Sequence, residues 1–72
     1  MGTLYYLYED KQGKYQVHTE NDIYTYSSMK AHFEAEGEKL HGCFGRIEFA
    51  EIWRDFYNGD ITRKQLRKNL NL

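Results

Sequence analysis

His41 and Cys43 place an imidazole and a thiol on either side of Gly42, and His18 and His32 supply two more imidazoles. Such side chains hold zinc when four of them converge, and a thiolate beside a histidine becomes a nucleophile when a third group orients the base. The H-x-C spacing fits neither arrangement. Cys43 therefore reads as a small thiol in a glycine-flanked turn, and no catalytic residue, metal or cofactor is expected.

The cations carry a second possible chemistry. Arg63, Lys64, Arg67 and Lys68 follow the last acid of the chain, Asp60. Four cations on one short helix can bind a phosphate backbone or an acidic protein patch. The plainer reading is a solvated face of a terminal helix. Tyrosines form the third group, six of the seven lying within the first 26 residues. A sheet face bearing Tyr5, Tyr15, Tyr24 or Tyr26 would make a protein hot spot or stack bases, whereas simple strand packing would also account for them. Glu34, Glu36, Glu38, Glu48, Glu51 and Asp55 form an acidic set that would meet a basic partner, or would simply be solvated helix faces with ordinary ion pairs.

The elements that must position these groups follow from periodicity. Residues 3–9 and 14–20 alternate as strands around a hairpin loop at Asp10–Gly13, and 23–26 is short, β-branched and aromatic, a third strand. In the first strand both faces are apolar or aromatic, so either both are covered or one presents tyrosine to a partner. In the second, Tyr15, Val17 and Thr19 share one face and Gln16, His18 and Glu20 the other. From Ser27 the apolar residues return every three or four positions. Helices are expected over 27–41, capped by Ser27 or Ser28, over 46–58 and over 62–70. Gly37 either interrupts the first of these or ends it and leaves Glu38–Gly45 as a loop. The last has a complete start signature, with Thr62 and Gln65 as a capping box. The fold expected is α+β: a three-stranded antiparallel β-meander followed by two to three helices packed on one face, in two layers.

Size and charge bound the function. Seventy-two residues make one domain, spanning 1–72, with a marginal core. Residues 1–60 carry a charge of −5 and residues 61–72 carry +4, so the body is acidic and the end basic. A lone cysteine and the lack of a secretory or membrane-spanning apolar run suggest a cytoplasmic setting. A chain this short has little room for a deep pocket, so an enzyme is not expected. Two functions fit. One is a small non-enzymatic module that binds another protein through Tyr5, Tyr15, Tyr24, Tyr26, Arg63, Lys64, Arg67 and Lys68. In size and style such a chain resembles phage or mobile-element inhibitors and regulators, anti-CRISPR-type proteins among them. The other is a nucleic-acid-binding protein using Lys11 and Lys14 of the hairpin with the same four cations. No membrane partner is expected, and a homo-oligomer fits either function.

Overall fold

A computed structural model describes residues 2–72. Strands β1 (Leu4–Glu9), β2 (Tyr15–Glu20) and β3 (Lys39–Phe44) form one antiparallel sheet, and the helices are α1 (Tyr26–Ala35), α2 (Ile47–Tyr57) and α3 (Arg63–Asn69). The class is α+β, with three strands and three helices. The sheet order is β2-β1-β3, which puts the first strand in the middle.

The β1–β2 hairpin closes on Asp10. Its backbone N–H donates to the Lys14 carbonyl at 2.8 Å, and its carboxylate Oδ1 accepts from the N–H groups of Gln12 at 2.9 Å and Lys14 at 3.0 Å. Gly13 sits at φ +82°, the left-handed conformation that this loop requires. These bonds, led by the one from the Lys14 backbone, hold the Asp10 carboxyl below the usual carboxylate range.

The third strand is not where alternation alone puts it. Residues 23–26 are no strand: Thr25 takes an extended conformation and its Oγ1 accepts from the Ser28 N–H at 3.1 Å, so Tyr26 already begins α1. The cap is thus Thr25, ahead of Ser27 and Ser28. The expected 27–41 helix ends at Ala35. Gly37 at φ +77° closes it with a Schellman motif, in which Glu38 N–H donates to Phe33 O and Gly37 N–H to Glu34 O. Lys39–Phe44 then runs as the third strand, against the edge of β1 that β2 leaves free. Its register slips by one residue: Leu7 faces Gly42 and Tyr8 faces Leu40, with His41 as the extra residue of a bulge. Leu40 and Phe44, four apart, consequently lie opposite Tyr8 and Tyr5 and so on opposite faces of the sheet.

Both faces of β1 are covered. Tyr6 (1% exposed) and Leu40 pack with Met29 and Phe33 of α1, joined at the margin by Leu4 and Tyr8. Leu7 (2% exposed) points the other way, into a depression lined by His41, Phe44 and the α2 residues Trp53 and Tyr57. The helices therefore flank the sheet on two sides, rather than packing on one face of a meander in two layers. The physical reason is β1 itself, whose two apolar faces each need a cover. Bounds of α2 and α3 fall within one residue of the expected 46–58 and 62–70. The capping box forms, with Gln65 N–H donating to Thr62 Oγ1 at 3.2 Å and Thr62 N–H to Gln65 Oε1 at 2.8 Å.

Candidate functional site

Helix α2 carries a wide apolar arc of Ile47, Phe49, Ala50, Ile52, Trp53, Phe56 and Tyr57. Ala50 is fully buried. α3 offers a much narrower stripe, in which Leu66 is buried and Leu70 half-buried. Seven residues of α3 cannot cover that arc. What remains is an open groove of about 300 Å³ lined by Trp53 and Phe56 of α2, Leu66 of α3 and Leu72 beyond it, with Arg63 and Arg67 along the same wall.

The four cations of α3 separate by type. Arg63 and Arg67, one helical turn apart, line the groove. Lys64 and Lys68 are each one residue further on, about 100° around the helix, and do not line it. All four are exposed, and none forms an ion pair with an acid among the described residues. Arg46 and Arg54, by contrast, are engaged by Glu48 and Asp55.

The expected tyrosine surface divides. Tyr15 is half-buried, stacked on Tyr57 at 4.8 Å and tilted against His41 at 4.9 Å. Burial, with smaller contributions from Glu9 and Tyr57, raises its phenol above the ordinary tyrosine range. Tyr5 is half-buried as well. Tyr24 and Tyr26 are exposed, but they lie in the α1 approach and first turn instead of on the sheet. With Ile23, which is 77% exposed, they make a second apolar patch. Beside it Glu20, Tyr24, Met29 and His32 line a recess of about 210 Å³. The Glu20 carboxyl is lowered, first by the His18 side chain at 3.2 Å and then by the Asp22 backbone N–H.

The hairpin lysines stand apart from the α3 cations. The aliphatic stem of Lys11 lies against Gly37, and Lys14 lines an open recess with Tyr57, Asn58 and the acid Asp60. The six cations of the nucleic-acid reading thus fall at separate places, one of them beside a carboxylate.

The remaining histidine and cysteine chemistry is spread out. His41 Nε2 meets Glu9 Oε1 at 3.3 Å, and Cys43 is exposed with a free thiol. Among the described residues no three of His, Cys, Asp and Glu converge as metal ligands. No helix of the described residues is long and apolar enough to cross a membrane.

Sequence reasoning missed Trp53, Phe56 and Leu72 as members of a surface site. The signal was present in the mismatch between the wide arc of α2 and the narrow leucine stripe of α3, the helix that follows it. No protein-family model, curated protein or solved structure matches the chain.

Proposed function

We propose that the chain is a small non-enzymatic module that binds another protein, as an inhibitor or regulator. The observation that carries this reading is the groove between α2 and α3, where half-buried aromatic rings adjoin two unpaired arginines. Interface hot spots are enriched in tryptophan and arginine set in such desolvating surroundings. Tyr24 and Tyr26, beside Ile23, add a second exposed group whose tyrosines are a residue type that interfaces favour. The nucleic-acid alternative has weaker support, because Lys11 and Lys14 do not line the groove of Arg63 and Arg67 and the body carries −5.

The test is affinity capture on immobilised wild-type protein and on R63E/R67E, with a Y24A/Y26A arm to decide whether the α1 approach takes part. A partner retained by the wild type and lost from R63E/R67E at unchanged melting temperature supports the reading. Identical capture by all three proteins removes both surfaces from it. A gel shift of duplex or single-stranded oligonucleotide at low salt, lost at moderate salt, would favour the alternative.

A further inference from the structure

Resting on the protein-binding reading, we infer that the α2–α3 groove takes an acidic peptide segment of the partner, which seats an aromatic or long aliphatic side chain on Trp53, Phe56 and Leu66 and offers carboxylates to Arg63 and Arg67.

Three observations fix this chemistry. The floor is apolar and the groove, about 300 Å³, is open along its length, which suits one or two side chains of a segment lying across it. Its charged wall is purely cationic, since Arg63 and Arg67 have no acid partner among the described residues. Both groove cations are arginines, while the outward ones are lysines. The planar guanidinium fork matches a carboxylate in bidentate fashion and keeps its strength beside apolar surface, which a lysine ammonium does less well. The two forks lie one turn apart, their Cβ atoms separated by about 5–6 Å. Carboxylates spaced about one helical turn apart on a partner segment, either side of the anchor, would meet both.

The same features disfavour a long polyanion. A nucleic-acid strand running beyond the groove would meet a body of charge −5, with Glu51 and Asp55 on α2 itself. A short acidic segment ends before that repulsion accumulates, within about a Debye length of 8–10 Å at physiological salt.

The single tryptophan of the chain, Trp53, lines both this groove and the depression under Leu7, so its fluorescence reports a ligand at either and the Arg63 and Arg67 variants assign the signal to the groove. A random peptide display library, free of tryptophan, is selected on the wild-type protein, and the enriched peptides are titrated against Trp53 emission. The expected result is a family of net-negative peptides sharing an aromatic or leucine anchor. Binding should blue-shift Trp53, and R63E/R67E should weaken it by about tenfold or more. R63K/R67K, which keeps the charge and loses the fork, should weaken it by about threefold. Enriched peptides that are neutral or basic overturn the acidic-segment inference while leaving protein binding in place. Acidic peptides that bind R63E/R67E undiminished overturn it as well, as does failure to enrich any acidic family. A blue shift of Trp53 with rising concentration of the protein alone would give the groove to a second copy of the chain. An oligonucleotide that shifts Trp53 where the acidic peptides do not would overturn both the inference and the reading beneath it.

Discussion

Asn58 and Tyr15 exchange two hydrogen bonds through a single side chain. The Tyr15 N–H donates to Asn58 Oδ1 at 2.8 Å, and Asn58 Nδ2 donates to the Tyr15 carbonyl at 3.0 Å. Antiparallel alternation turns these backbone groups of Tyr15 away from β1. The Asn58 amide therefore acts as a one-residue strand on the outer edge of β2, and ties the C-terminus of α2 to the start of that strand. The tie holds Tyr57 against Tyr15 and orients the helix from which Trp53 and Phe56 project.

Replacing this amide should be costly for a surface-near residue. Asn58→Ala leaves a part-buried N–H and C=O without their partner, and is expected to lower stability by about 1–3 kcal/mol. Asn58→Asp keeps the acceptor for the Tyr15 N–H but sets its second carboxylate oxygen against the Tyr15 carbonyl, so its loss at neutral pH should be at least as large. Denaturant titration of both variants checks the order, and equal stability of all three proteins would refute the tie.

Asp10 makes the fold sensitive to acid. Its folded pKa is depressed by the Lys14 and Gln12 backbone N–H groups and the Gln16 side chain. The stability it adds is therefore present above the unfolded value of about 4 and lost as the pH falls through the lower folded value. Asp10→Asn should reduce stability at neutral pH and flatten the acid limb of the stability curve. Melting temperatures of wild type and variant between neutral pH and about pH 2 would decide it, converging curves at the acid end being the expected outcome.

Tyr6 has the opposite sign. Burial first, then the neighbouring Cys43, raise its phenol above the usual range, and burial likewise raises Tyr8 and Tyr15. A raised tyrosine keeps its full contribution below the unfolded value of about 10 and loses it as the pH climbs through the folded value. Alkaline titration by ultraviolet absorbance should show these phenols ionising together with loss of helical circular dichroism. Complete ionisation in a still-folded protein would contradict the burial of Tyr6.

Gly37 and Gly45 should respond differently to alanine. Gly37 stands at φ +77° with the Lys11 Cε 3.4 Å from where a Cβ would lie, whereas nothing lies within 4 Å of that position at Gly45. Gly37→Ala is expected to cost about 1–2 kcal/mol through left-handed strain, and Gly45→Ala to stay within about 0.5 kcal/mol. Thermal melts of the pair test this directly.

The sequence revealed the hairpin, the α3 capping box and the two later helices because each depends on local chemistry: Asp10 with Gly13, Thr62 with Gln65, and the α2 arc. It concealed β3 because a bulge at His41 sends Leu40 and Phe44 to opposite faces, so the period of two never appears. Met29, Phe33 and Leu40 instead look like one helical stripe and do meet in one core, but from two different elements. The surface was legible only in part. Arg63 and Arg67 stood out by charge, yet the groove beside them forms only where α3 and Leu72 meet Trp53 and Phe56 of α2. Tyr5 and Tyr15 read from the sequence as available to a partner because alternation alone does not distinguish a sheet covered on both faces from one open on a side.

The placement of β1 between its two neighbours has a bearing on biosynthesis. β1 precedes in the chain both strands that it pairs with, and the second of these arrives only with Lys39–Phe44. Until then Tyr6 lacks Leu40, Leu7 lacks Phe44 and the whole of α2, and one side of the nascent strand carries unmatched peptide groups open to stray pairing. Because β1 is completed only by β3, the sheet is expected to gain its shape in one late cooperative event, with β1 and β3 amides released to solvent exchange at the same free energy.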